Sequence, residues 1–347
     1  MRRLLTFLLV LLISGSVGYI RYQARHMQHD EATRLCACMD RAHILGRERT
    51  DFIIRYRAAL LNDFSVDLVV VTVPGRVDIA TEAVREFEAA KVGDFGGRGR
   101  GLLLLVAPDS NAVRLEVSQA LEGIYTDSFV AYVQQRQMAP FFQNKRVGDG
   151  ILATIELLYS RAVDADKHQA FDPRALEGVS AGGGAQMAAN IGTGYDGSSF
   201  RQQTGEVSAS GSPQQVMAAY LGAMRQRDAR PDLDIYSAAS RRMMAQWTVT
   251  PAQMDNIAAT YAGCGTPELR PTADSDHVVL RYSIPERTCS PWFFVRESGA
   301  WRLDLTMMQR ALRFNNRNQW HFQPGVKHEY EAAFSDWTFN ENGFPNR

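Results

Sequence analysis

Two carboxylates, Glu122 and Asp127, bracket a short turn in the run LEGIYTD that spans Leu121 to Asp127. Oxygen ligands so placed could share a divalent cation such as calcium, or work as an acid/base pair. A plainer role competes with this one: Asp127 caps the helix that begins near it, and Glu122 closes a local hydrogen bond. Upstream, Arg98 and Arg100 lie in the glycine loop GDFGGRGRG, Gly93 to Gly101. Backbone N–H groups and guanidinium groups in such a loop suit an anion such as phosphate. The spacing of a nucleotide P-loop is missing, and a mobile basic loop is the competing reading. No nucleophile elbow and no paired-histidine motif occurs, and His277, His321 and His328 are scattered. No catalytic residue is therefore assigned. Asp304 and Tyr282 could face a pocket in the C-terminal half, or be surface and core.

Cysteines add a second kind of chemistry. Cys264 and Cys289 sit in the C-terminal half, and a disulfide between them suits an exported domain. Four cysteines allow three pairings, so spacing alone leaves the connectivity open. Cys36 and Cys38 form a CxC with no second Cys or His pair at zinc spacing, which reads as free or intermolecularly paired thiols.

Export is suggested by the N-terminus. Arg2 and Arg3 precede an uncharged, mostly apolar run from Leu4 to Ile20. At the helical rise it spans roughly 25 Å, slightly under the ~30 Å hydrocarbon core. Leu4–Ile13 fits a signal-peptide core with small residues at Ser14-Gly15-Ser16. An uncleaved anchor is favoured, because the run continues past Ser16. Either way the remainder crosses the membrane, so the expected location is the membrane with the globular part outside the cytoplasm, in a bacterial periplasm. Formal net charge is zero across 347 residues, and no nucleic-acid partner is expected.

The elements that must position these residues fall into two groups. Asp51–Asn62 has helical spacing, and Val66–Val73 is an almost wholly apolar strand of the kind covered on both faces. Asp78 can cap a helix whose stripe is Ile79, Ala83, Val84 and Phe87, with Gly93 as its C-cap. Leu102–Ala107 and Val113–Val117 flank the turn Pro108-Asp109-Ser110-Asn111 as a hairpin. A helix starts near Asp127, Pro140 breaks it, and an apolar helix runs from about Val147 to Val163. Gly178–Gly211 is rich in Gly, Ala, Ser and Gln and reads as a flexible linker. Ser212-Pro213 opens a second group: a helix, shorter ones near Asp234–Gln246 and Pro251–Ala262, then strands His277–Ile284, Pro291–Arg296 and Trp301–Thr306. After Ala311 the many aromatics suggest a segment docked onto a domain or a partner.

The first group resembles the TPM domain family over roughly Ile44–Ala162. The resemblance rests on Val69–Val73 before Pro74, Gly101–Ala107 with Asp109, and Arg114-Leu115-Glu116-Val117. It rests also on Leu121-Glu122-Gly123 with Thr126-Asp127, and on Pro140-Phe141. It implies a three-layer α/β/α fold outside the cytoplasm, with divalent-cation binding and, in some members, acid phosphatase activity. Where the family has Asp-Asn-Gly before the hairpin, this chain has Gly99-Arg100-Gly101. A carboxylate is lost and a cation gained, which weakens a hard-cation site. Ser212–Thr306 is similar to NTF2-like domains, chiefly through Phe294–Asp304, and that implies an α+β cone.

The expected order is a signal anchor or signal peptide at 1–20, a connector at 21–43, a TPM domain at 44–165 and a linker at 178–211. An NTF2-like domain at 212–310 and an aromatic-rich end at 311–347 follow. The expected function is a membrane-tethered interaction protein with an envelope protein partner. The alternative is a divalent-cation-dependent phosphatase using Glu122 and Asp127.

Overall fold

The computed structural model describes residues 38–95, 97–176, 211–285, 287–315 and 317–346, and the backbone of 189–190. The apolar run Leu4–Ile20, Cys36 and most of the Gly-rich segment lie outside the described residues. By its contacts the chain divides into two compact units, 1–110 with 114–121 and 111–113 with 122–347. The division does not fall at the Gly-rich segment.

In the first unit, β2 (Asp67–Thr72) and β3 (Gly101–Ala107) pair in parallel, Val69 opposite Leu103, and both are buried along their whole length. Continuous apolar runs suit a strand covered on both faces. Residues expected to be a connector supply a further strand, β1 (Cys38–Asp40), parallel to β2 with Cys38 opposite Val70. Its three residues are too few to show a pattern. Asp40 fixes the chain that follows. Its carboxylate accepts from the amides of Ile44 and Leu45 at 3.1 and 2.9 Å and from the Thr72 hydroxyl at 2.6 Å. Burial works against that carboxylate, but the Thr72 hydroxyl and these amides outweigh it and hold Asp40 below the usual range.

Helix α1 (Gly46–Phe64) is longer than the expected Asp51–Asn62 and buries Ile53, Arg57 and Leu60, a stripe at three- and four-residue spacing. Helix α2 (Ile79–Ala89) is capped by Asp78, which accepts from the Ala80 amide. Its C-cap is Ala90 rather than Gly93. Strand β4 (Ala112–Val117) follows β3; its first two residues, which belong to the second unit, pair there antiparallel with β5 (Ala189–Asn190).

After the turn at Glu122 the second unit continues with helix α3 (Asp127–Tyr132), which runs into a π-helix at Val133–Met138 and then α4 (Ala139–Gln143). Pro140 was expected to break the chain here, yet the helical path continues. The wider π turn makes room for a ring that an α turn would push against the Arg136 carbonyl. Helix α5 (Val147–Asp166) packs closely on α4: a Cβ on Gly150 would lie 2.7 Å from Phe141 Cβ.

Helices α6 (Pro213–Arg225) and α8 (Pro251–Ala262) start with capping boxes, Ser212 with Gln215 and Thr250 with Gln253, and α7 (Ala238–Met244) lies between them. The strands β6 (Glu268–Pro271), β7 (His277–Arg281), β8 (Trp292–Glu297) and β9 (Ala300–Leu303) form an antiparallel sheet in that order. The last strand does not reach Thr306, because Asp304 caps a further helix, α9 (Leu305–Ala311), by accepting from the Met307 amide at 3.0 Å. Alternation along β8 covers both faces of the sheet. Trp292 and Phe294 join Tyr220, Tyr236 and Leu303 in one apolar cluster. Phe293 between them joins Trp320, Tyr330 and Phe334 in another. The aromatic C-terminal segment therefore docks within its own unit. Cys264 and Cys289 form a disulfide with a Cα–Cα distance of 6.0 Å.

Candidate functional site

Glu122 and Asp127 emerge on the surface, each exposed. The turn that carries them is held from beneath. Tyr125 is buried and its hydroxyl donates to the Leu158 carbonyl at 3.0 Å. Arg161 Nε donates to the Ile124 carbonyl at 2.8 Å. Asp127 does not cap the helix, as its plainer reading expected. Thr126 does, accepting from the Phe129 amide at 3.4 Å, and Asp127 is the first helical residue, where its charge favours the helix N-terminus. Among the described residues, no three or more His, Cys, Asp or Glu side chains come together as a metal-binding group. Glu122 and Asp127 are thus two accessible carboxylates on one turn, outside any group of three or more such ligands among the described residues, weak by the standard of a calcium site.

The glycine loop is built for closure. At its neck, a Cβ on Gly101 would lie 2.7 Å from the Val92 and Gly93 backbone, and Gly93 adopts φ +96°. Gly93 donates its amide to Asp67 at 3.1 Å, Gly97 to the Asp94 carbonyl at 2.9 Å, and Gly101 to Ser118 Oγ at 2.9 Å. Those N–H groups already have partners and do not form an anion cradle. Asp67 in turn accepts from Arg57 Nε and Nη2 at 3.0 and 2.8 Å, an ion pair with side chains only 2 and 3 % exposed. The Arg57 guanidinium lies 5.0 Å from the Phe95 ring centroid. Arg98 is exposed and Arg100 half-buried, so the loop offers two cations at its surface.

In the second unit the apolar cluster is filled by aromatic rings. Trp292 lies 5.3 Å from Tyr220 and 4.5 Å from Tyr261, ring to ring. Tyr282 is buried and reaches Met217 Sδ, while Asp304, besides capping α9, accepts from the Tyr330 hydroxyl at 3.0 Å. Neither is set up as a reacting group.

A cavity of about 410 Å³ opens elsewhere, between β6, the end of β7 and the C-terminal segment. Arg281, Arg270, Glu268, Asp336 and Trp337 line it. Arg281 is buried, lies 4.4 Å from the Trp337 ring centroid, and donates to Asp336 through both terminal nitrogens at 2.6 Å. Arg270 adds a third 2.6 Å bond to Asp336. That hydrogen bonding, with Arg281 foremost, holds the Asp336 carboxyl well below the usual range. The charges in this cavity answer one another, so it presents little free charge to a ligand. In sequence, Arg281 is one charge at the end of an apolar strand, 55 residues from Asp336, and nothing local marks it.

Residues 38–161 match the family model of the TPM domain. That segment contains β1 through most of α5 and both carboxylates of the turn. Among curated proteins none matches. The solution NMR structure of the N-terminal domain of a P. gingivalis protein is similar, at 22 % sequence identity. It covers 41 % of this chain and 89 % of that one, with a TM-score of 0.35.

Proposed function

We propose that this chain is a membrane-tethered, extracytoplasmic interaction protein that serves envelope protein assembly or maintenance. On this reading a three-layer TPM scaffold is joined to an NTF2-like cone, and both are used for protein contacts. The observation that carries it is the state of the family-matched segment. The hydrophobic strands and the hairpin are kept, while Gly99-Arg100 precedes β3 and the remaining carboxylates, Glu122 and Asp127, lie exposed. The aromatic filling of the second unit favours a packing module over a catalytic cone. The Cys264–Cys289 disulfide favours an oxidising compartment.

Site-specific photocrosslinkers placed at Glu122 and Arg98 in the full chain, in intact cells, test this. The reading expects discrete crosslinked species in the membrane fraction, with the globular part digested by protease only after the outer envelope is opened. A chain recovered from the cytosol without crosslinks would overturn it. A divalent-cation-dependent acid phosphatase is the second reading, favoured by the accessibility of Glu122 and Asp127 on one short turn.

A further inference from the structure

Within the second unit, hydrogen bonds join segments on either side of residues 177–210. Tyr132 donates its hydroxyl to Asp255 Oδ2 at 2.9 Å. Arg227 Nε and Nη2 donate to the two oxygens of the same carboxylate at 2.8 and 2.9 Å, and Nη2 also reaches the Ala175 carbonyl at 3.1 Å. Thr250 donates its hydroxyl to Gln137 Oε1 at 2.6 Å, where both side chains are buried. Arg146 Nη1 donates to the Gln246 carbonyl at 2.8 Å. Tyr132 immediately precedes the π-helix and Gln137 lies within it; Thr250 and Asp255 belong to the cap and second turn of α8.

Two features set this junction apart from an incidental contact. Arg227 adopts φ 56°, the left-handed conformation that favours glycine. A glycine there would relieve the backbone and lose the guanidinium that answers Asp255. Thr250 serves twice, since its hydroxyl also accepts the Gln253 amide that starts α8. Separating the two sides would strand a buried amide oxygen and remove two of the groups around Asp255 from one another.

We infer that the helical face carrying Tyr132 and Gln137 is a permanent docking site for this chain's own C-terminal α+β part. Residues 122–176 and 211–346 then move as one body, and that face is closed to outside partners. The family-matched segment, in this protein, is not a self-sufficient module. The inference is independent of what Glu122 and Asp127 do.

A site-specific protease sequence inserted between Ser198 and Thr204 of the full chain provides the test. After cutting, the two pieces should co-elute on size exclusion at the position of the intact chain. Asp255→Asn, which weakens the Tyr132 bond across the junction and loosens Arg227, the residue that reaches Ala175, should speed their separation by a few-fold to about tenfold. Tyr132→Phe, which removes one hydroxyl, should speed it by a few-fold and decides the matter if Asp255→Asn does not fold. Pieces that part at once after cutting, or a Tyr132→Phe protein that separates at the unaltered rate, would overturn the inference.

Discussion

Carboxylates occupy two contrasting settings in this protein. At the turn after β4, Glu122 and Asp127 are exposed, and no side-chain hydrogen bond to them occurs among the described residues. At Asp255, by contrast, three donors from two residues converge, and those residues lie 28 and 123 positions away in sequence. At Asp67 two guanidinium nitrogens and a loop amide converge on a carboxylate almost wholly removed from water. This fold places its ordered polar groups at structural junctions. They hold the glycine loop and the junction around α8, while the turn whose residue types suggest chemistry is left open to solvent.

The largest effect is expected at Asp67. Arg57→Ala leaves a buried carboxylate without its cation and should cost about 3–5 kcal/mol in urea unfolding. A loss under about 1 kcal/mol would mean that the pair does not anchor the loop. At Asp255 the groups are about a quarter exposed, so Asp255→Ala should cost less, about 1–3 kcal/mol. Its mark is spatial: amide hydrogen exchange should rise in both Asp127–Met138 and Pro251–Ala262. A rise confined to the second stretch would mean that Asp255 does not hold the two helical segments together.

Asp336 responds to pH. Its folded pKa is depressed by Arg281. The stability it contributes is therefore fully present above the ordinary aspartate pKa of about 3.9, and is lost as pH falls below that towards the folded value. The gap in melting temperature between the natural protein and Asp336→Asn should be constant from pH 7 to 5 and shrink as pH drops through 4 to 3. A gap unchanged at pH 3 contradicts the pairing. The smallest effect belongs to the open turn. Glu122→Ala with Asp127→Ala should change stability by no more than about 0.5 kcal/mol, as for surface positions without partners.

Much of this architecture is legible in the sequence, and the reasons are local. The apolar runs Asp67–Thr72 and Gly101–Ala107 are buried on both faces, so their composition alone marks them. Asp78, Ser212 and Thr250 precede their helices as caps, a signal carried within a few residues. What escapes is non-local. Strand β6 is mostly exposed and carries no alternation, so only its pairing with β7 defines it. The π-helix depends on tertiary packing around Pro140, which by itself reads as a break. Strand β9 stops at Leu303 because Asp304 turns to cap α9, a choice between two physically sound readings of one residue. For the candidate site, residue types point to Glu122 and Asp127. The exposure of both, and the prior engagement of the glycine-loop amides by Asp67, Asp94 and Ser118, depend on segments far apart in the chain or on loop closure.

Phosphate-ester hydrolysis separates an interaction protein from a phosphatase. The purified full chain is assayed with p-nitrophenyl phosphate at acid and neutral pH, with calcium or magnesium added, beside the Glu122→Ala/Asp127→Ala variant. An interaction protein on a TPM scaffold predicts equal, background rates for both proteins at every metal concentration. Metal-dependent turnover in the natural protein that the double variant abolishes would contradict it and establish the turn as a catalytic site.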